Sequence, residues 1–416
     1  MYGITLEARS PPPTLPPVTD HTFHPSREAA LAALSEFVPR ASRTYAEGRN
    51  FDLGPGQRDA VSQLSPYLRH RLITEEDVLR AVLDRHTPDA ASRFVTEVFW
   101  RTYWKGWLEM RPSVWTAYRA GLRRGWNDVQ TQSGLRGRWE DACAGETGID
   151  CFDAWARELA ETGYLHNHAR MWFASIWIFT LGLHWELGAD FFLRHLLDGD
   201  PASNTLSWRW VGGLQTRGKH YVATAENIAE YTGGRFRPAP GELNEDAASL
   251  DGPPHPERIA APERPRIDLR DYSALILHID DLSPDWLLDD GLTPLVTFVL
   301  APPEDATPLR MSDRVQDFRR AALESTVRRL SSRLGRVVPC ADAGALKAAV
   351  ADLGAARAVT PHAPVGPVAE ALAEVPAERA LRPYDARAWP HATAGFFKFR
   401  KHISALLAAT RGIEVV

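Results

Sequence analysis

The feature that most constrains this chain is a change of vocabulary past its midpoint. Up to about residue 235, apolar residues recur at spacings of three and four with no competing alternation of period two, so helix is expected to follow helix. Residues 235–270, rich in Pro, Gly, Asp and Glu, read as a linker. Beyond them short apolar runs alternate with helical patterns. SALILHID and LVTFVLA read as strands, 314–334 as an amphipathic helix, RVVPC as a strand, ALKAAVADLG as a helix and ARAVTPH as a strand. Strands alternating with helices predict a Rossmann-like parallel sheet covered on its faces. The 416 residues suffice for more than one core, since single cores stop growing near roughly 250–300 residues. The expected plan is an extended Pro-rich arm over 1–25, an all-helical unit over 26–235, a linker over 236–270 and a smaller α/β unit over 271–416.

Several function classes are disfavoured. No apolar run approaches the ~20 residues that cross a bilayer, and the first residues lack a basic start followed by an apolar stretch, so a soluble, cytoplasmic protein with no membrane partner is expected. Cys143, Cys151 and Cys340 are too scattered for a disulfide framework or an iron–sulfur site. There is no glycine-rich dinucleotide fingerprint, phosphate loop or HExxH, and no metal is expected. A net charge of -5 does not announce a nucleic-acid binder, although a local basic cleft is compatible with it.

Local signals sharpen the helical part. Ser26 is placed to cap REAALAALSEFV, and Thr74 with Asp77 forms a capping-box pattern. In ASRFVTEVFWRTYWKGWLEM, Phe94, Glu97, Trp100, Arg101 and Trp104 share one side of a helix. Most of the 14 tryptophans precede residue 211. Spacing alone leaves two readings open, an aromatic helical core or a row of indoles reaching a redox cofactor.

Three stretches, in order, carry a resemblance: SQLSPYLRHRLITEEDVL, FVTEVFWRTYW, and TGIDCFDAWARELAETGYLHNHARMW continuing to LHWELGADFFLRHLLDGDPASNTLSWRW. They are similar to the FAD-binding domain of the DNA photolyase and cryptochrome family. The resemblance implies an all-helical photolyase-like FAD-binding domain followed by the α/β domain. Ser62, Leu64 and Ser65 would lie at the FAD pyrophosphate with Tyr45 nearby, although Val61 stands where the family commonly has a threonine. Arg170 and Asp198 resemble its ion pair beside the isoalloxazine, Asp200 the carboxylate at the polar edge of that ring, and Asn204 the residue facing flavin N5. Trp208 and Trp185 resemble the inner and middle members of its electron-transfer chain, the third being open among Trp126, Trp139, Trp155, Trp172 and Trp177.

Glu97, Trp100, Arg101, Asn167, Met171 and Trp210 resemble the lining of the lesion pocket of cyclobutane pyrimidine dimer photolyases. Flat indoles suit a flipped-out base pair, and Glu97 and Asn167 supply polar contacts. Without that resemblance the aromatics read as core, and Glu97 needs an Arg101 partner or a solvent-facing side. His168 departs from the family's usual arginine, and His166 reads as structural.

The family's usual order is reversed, because the α/β segment follows the helical one. An antenna chromophore is possible but unassigned, and AGFFKFRKHI reads more readily as a docking helix than as a DNA tract. GKHYVATAENIAEYTGG also departs from the family pattern, leaving Arg217, Lys219 and Arg235 as phosphate contacts or solubilising charges. The leading expectation is light-driven repair of dimers in single- or double-stranded damaged DNA, with reduced FAD as electron donor. The alternative is a blue-light photoreceptor acting on a protein partner.

Overall fold

The structure, a computed structural model, describes residues 23–303, 307–354 and 356–410. Nearly all of the expected arm lies outside them. The chain then builds α1 (Arg27–Phe37), α2 (Arg43–Gly48), α3 (Ser65–Arg69), α4 (Glu75–Leu83), α5 (Ser92–Glu109), α6 (Ser113–Thr131), α7 (Ser133–Ala144) and α8 (Asp150–Thr162). α9 (Asn167–Ser175) runs into a π-helical turn over Ile176–Thr180, followed by α10 (Trp185–His195), α11 (Pro201–Val211) and α12 (Ala225–Tyr231). Local chemistry sets the starts. Ser26 Oγ accepts from Ala29 N at 3.1 Å. At α4, Thr74 Oγ1 accepts from Asp77 N at 3.1 Å and Asp77 accepts from Thr74 N at 2.9 Å, a complete capping box.

Residues 232–268 form neither helix nor strand, as their composition requires, yet they are laid along the helices. Leu250 N donates to Gly212 O at 2.9 Å and Ile259 N to Met110 O at 2.9 Å.

The second half holds β1 (Ala274–Leu277), α13 (Asp285–Asp289), β2 (Val296–Leu300), α14 (Asp313–Arg329), β3 (Arg336–Cys340), α15 (Ala343–Ala351), β4 (Ala358–Pro361), α16 (Pro367–Leu372), β5 (Glu378–Ala380), α17 (Pro383–Ala388), α18 (Phe396–Phe399) and α19 (Ile403–Ala408). All strands are parallel in the order β3-β2-β1-β4-β5. The period of two divides the faces. Leu275 and Val359 join Leu287, Leu288, Leu330 and Leu334 in a separate cluster, while Ala274, Ile276 and Ala358 face the core shared with the helices.

α14 stops at Arg329 rather than reaching Leu334, because the chain turns there to bury Leu330 and Leu334 in that separate cluster. Gly335 then takes φ 59°, with the carbonyls of Pro294 and Leu295 where a Cβ would stand. β5, α13, α16 and α17 were not foreseen, being too short for a periodic signal.

The halves meet where the turn after α3 packs against the segments that follow β1 and β5. Arg69 pairs with Asp280 at 2.8 Å and donates to Gly199 O at 2.9 Å. Leu282 N donates to His70 O at 2.9 Å, and Ser283 Oγ donates to Arg71 O at 2.7 Å. Arg71 is 1% exposed and pairs with Asp281, Asp385 and Glu75. Arg382 completes the group by donating to both oxygens of Asp281 at 2.7 Å. Arg71 holds φ 53°, a left-handed conformation that costs a non-glycine residue of order 1–3 kcal/mol and persists only when its surroundings over-determine it. Three carboxylates and a backbone contact do so here.

Removing one partner of a buried ion pair costs about 3–5 kcal/mol. Arg71→Ala is therefore expected to lose roughly that much in urea unfolding followed by circular dichroism. Arg71→Gly should lose less than Arg71→Ala, since glycine adopts the same φ freely. Wild-type stability in Arg71→Ala would contradict the assignment of this residue as the clamp.

Candidate functional site

α5 sets the site because residues four apart share a face. Glu97, Arg101 and Lys105 occupy that face, each with a different environment. Half-buried Glu97 is paired with Arg49, from the residue following α2, and not with Arg101. Arg101 lies 3.6 Å from Glu75 and 4.0 Å from Asp200. Lys105 is 1% exposed and its Nζ has no hydrogen-bond partner among the described residues. Burial, then Arg101 and Arg71, pull Lys105 from 10.5 down to about 8, against the attraction of Asp200 and Glu75.

Asp200 is the opposite case. Its burial favours the neutral acid, but Lys105, Arg101, Arg69 and the Ser203 N–H together hold it well below the usual carboxylate range. Its side chain also caps α11, accepting from Ser203 N at 2.9 Å. Two residues earlier, Asp198 accepts from Arg170 Nη2 at 2.9 Å, and its Oδ1 is buried without a hydrogen-bond partner among the described residues. Asn204 is buried with its Nδ2 donating to Ala189 O at 2.7 Å, which fixes the orientation of the amide. Near α3, Gln63 takes φ 51°, Ser62 Oγ accepts from Leu64 N at 3.4 Å, Leu64 is buried and Ser65 opens the helix. Tyr45 is buried beneath Arg49, 5.8 Å from its ring centroid, and burial pushes the phenol up.

A series of contacts runs from Glu97 to Trp210, two of the residues expected at a substrate. Arg49 holds Glu97, and the next residue, Asn50, takes His168 Nδ1 on its carbonyl oxygen at 2.8 Å. His168 follows exposed Asn167 at the start of α9, and half-buried Met171 lies one turn on. The His168 ring stacks on Trp172 at 4.2 Å. Trp172 Nε1 donates to Asn227 Oδ1 at 3.0 Å, as does Tyr221 Oη at 3.3 Å, and Tyr221 stacks on Trp210 at 5.7 Å. The divergent segment 218–234 thus supplies Tyr221 and Asn227, while its neighbour Arg235 pairs internally with Asp52.

Trp100 is placed differently from the expectation. Its ring is stacked by Phe396 of α18 at 3.6 Å and 10°, so a residue of the chain covers the indole expected to face a ligand. The indoles also sort by contact. Trp208 meets Trp177 at 6.3 Å, permitted by Gly188, where a Cβ would stand 2.3 Å from the Trp208 ring. Trp185 meets Tyr118 at 5.7 Å, and Tyr118 meets Trp115 at 5.1 Å. Trp115 Nε1 donates to Glu370 of α16 at 2.8 Å.

A cavity of about 1170 Å³ lies at the carboxyl ends of β2 and β3 against α14, bordered by Leu300, Pro302, Met311, Gln316, Arg319 and Gly344. Arg319 is buried and makes no ion pair or hydrogen bond among the described residues, and burial, then Arg69, lower its guanidinium to about 10. No three His, Cys, Asp or Glu side chains among the described residues gather as a metal site. No helix of the described residues is long and apolar enough to cross a membrane.

Residues 94–232 match the family described as the FAD binding domain of DNA photolyase. The chain is 34% identical over 195 residues to a deoxyribodipyrimidine photo-lyase of Agrobacterium fabrum, covering 45% of this chain and 38% of that protein. It is 30% identical over 227 residues to a cryptochrome DASH of Gloeobacter violaceus, covering 52% and 44%. Among solved structures, a cryptochrome of Synechocystis is similar at 27% identity with a TM-score of 0.42, over 55% of this chain and 48% of that one. The matched stretch spans less than half the length of these proteins.

The donor set suits FAD. Among the described residues, Lys105 and Arg101 carry buried nitrogens without acceptors, which an anionic pyrophosphate would satisfy, and Asp198 carries a buried oxygen without a donor, which a flavin N–H would satisfy. Ser62, Leu64, Ser65, Tyr45, Arg170, Asp198, Asp200 and Asn204 are the residues that would hold it. Lys105 and Arg69 escaped the sequence reading. Their signal was the four-residue step beyond Arg101 and beyond Ser65, which places each on the same helical face.

A bound anion restores the charged form of Lys105, so its affinity is complete below pH 8 and declines as pH rises through about 8. FAD retention measured by ultrafiltration is expected to fall by up to about tenfold per pH unit above that point. Lys105→Met should bind more weakly at pH 7 and lose this dependence. An unchanged profile in Lys105→Met would contradict the role given to Lys105.

Proposed function

We propose that this chain, whose residues 94–232 match the FAD binding domain of DNA photolyase, repairs cyclobutane pyrimidine dimers in DNA under blue light. The same proposal takes residues 26–235 as the FAD unit, 236–270 as its linker and 271–416 as an antenna-type unit. Bound reduced FAD supplies a photoexcitable one-electron donor. The protein's part is to hold, orient and exclude water.

The observation that carries this reading is the contact series from Glu97 through Arg49, Asn50, His168, Trp172 and Asn227 to Tyr221 and Trp210. It runs from an acceptor at Glu97 to an apolar wall at Trp210 and passes through His168, whose chain neighbour Asn167 is exposed and carries amide donors. Glu97, already paired with Arg49, accepts from a base N–H, so the base is oriented by its imide edge. Asn167 donates to a base carbonyl, and Met171 fills the wall beside it. Arg170 with Asp198 fixes the polar frame behind, and Asn204 is oriented by its bond to Ala189 O. Trp100 takes part in this lining only where Phe396 gives way. The cavity holding unpaired Arg319 supports a second, anionic and largely apolar chromophore there.

A photoreceptor is the second reading. It is favoured by the aromatic series Trp185–Tyr118–Trp115, which ends on Glu370 of α16 and so runs from the helices to the α/β unit.

Repair is tested by illuminating the FAD-loaded, reduced protein with oligonucleotides carrying one thymine dimer and counting restored thymines. Restoration in light and not in darkness is expected, with Glu97→Ala and Asn167→Ala each lowering the yield about tenfold, as one lost hydrogen bond of about 1.4 kcal/mol implies. No restoration with verified FAD would reject this reading and leave the photoreceptor one.

A further inference from the structure

The C-terminal element formed by α18 and the turn Arg400–His402 has two unlike faces. Phe396 and Phe399 point inward, onto Trp100 at 3.6 Å and Tyr103 at 5.6 Å. The preceding loop is fastened to α5 and its end, with Tyr103 Oη donating to Ala394 O at 2.8 Å and Arg111 Nη2 donating to Thr393 O at 2.9 Å. The outward face is held rigidly by these contacts. It presents Phe397, 79% exposed, together with exposed Lys398, Arg400 and Lys401.

None of these three cations forms an ion pair with a carboxylate among the described residues, although arginine–carboxylate pairs are common elsewhere on the surface, as at Arg270–Asp268 and Arg310–Asp313. In a chain of net charge -5, three unpaired cations around one exposed phenyl ring are a local departure from the average surface. An exposed aromatic beside unpaired cations is the combination that single-stranded nucleic acid selects, since a base stacks on the ring while phosphates meet the charges. The element rests on α5 through Trp100, one helical turn from Glu97.

We propose that this element docks single-stranded DNA flanking the nucleotide pair bound near Glu97, with Phe397 stacking an unpaired base and Lys398, Arg400 and Lys401 neutralising phosphates. It rests on the repair reading and adds to it a contact surface drawn from the segment after the sheet.

The test uses the full-length, FAD-loaded protein and fluorescein-labelled oligothymidylate, with and without a thymine dimer, in anisotropy titrations over a series of salt concentrations. Phe397→Ala is expected to weaken binding about tenfold. The triple substitution Lys398→Ala, Arg400→Ala, Lys401→Ala is expected to reduce the slope of log K against log salt by about 2. FAD content and thermal unfolding should stay as in wild type, because these side chains are exposed. Variants that bind with wild-type affinity and slope, while wild type restores dimers, would overturn the docking surface alone. Wild type that binds oligothymidylate through these residues but restores no dimer would reject repair and leave the surface standing. Equal binding of polyglutamate, independent of Phe397, would overturn the assignment to nucleic acid.

Discussion

The structure depends on one buried guanidinium. Arg71 reaches from the end of a short helix in the helical half into the carboxyl ends of the sheet, where Asp281 and Asp385 receive it beside Glu75. A charge so enclosed is tolerable only when paired; Asp281 and Asp385 pair it through hydrogen bonds and Glu75 does so at 3.8 Å, and the left-handed backbone at the same residue raises the demand. The same turn carries Arg69 to Asp280 and His70 against Ile279 O at 3.1 Å. α3 is therefore fixed at its end by the sheet and begins at Ser65, in the loop expected to meet a pyrophosphate. The α/β half thus braces the loop expected to meet the cofactor.

That arrangement also determines the electrostatics of the interior. Arg69, Arg101 and Lys105 all act on Asp200, and buried nitrogens of Arg101 and Lys105 have no hydrogen-bond partner among the described residues. Lys105 is the clearest sign, a buried ammonium with no acceptor among the described residues, whose charged form is penalised by burial. An interior with unsatisfied cations and an unsatisfied Asp198 oxygen is poised for a ligand having both anionic and N–H-bearing parts.

Much of the helical half was legible because helix signals are local. Ser26, the Thr74 and Asp77 box, and the three- and four-residue spacing around Trp100 each act within a turn or two. The four longer strands were legible as apolar runs, whereas Glu378–Ala380 is a polar edge segment defined by its pairing with β4. At the site, Arg170 and Asp198 were legible through the motif that contains them. The partner of Glu97 was not, since Arg49 lies 48 positions away and Arg101 was nearer in sequence. The role of Arg71 was illegible for the same reason, two of its three carboxylate partners standing 210 and 314 positions along the chain. Phe396 over Trp100 likewise follows from the return of the C-terminal segment to α5, which no local pattern encodes.

The central claim is that the cations between α3, α5 and α11 and the unsatisfied Asp198 form one FAD site. It is tested most directly by the flavin stoichiometry of the purified protein, from its absorbance after release of the cofactor, for wild type and for Arg101→Ala with Lys105→Ala. One FAD per wild-type chain, and a substoichiometric amount in the double variant with its helical circular dichroism preserved, is the result this account requires. A folded wild-type protein that takes up no FAD, or a double variant that retains it in full, would contradict it.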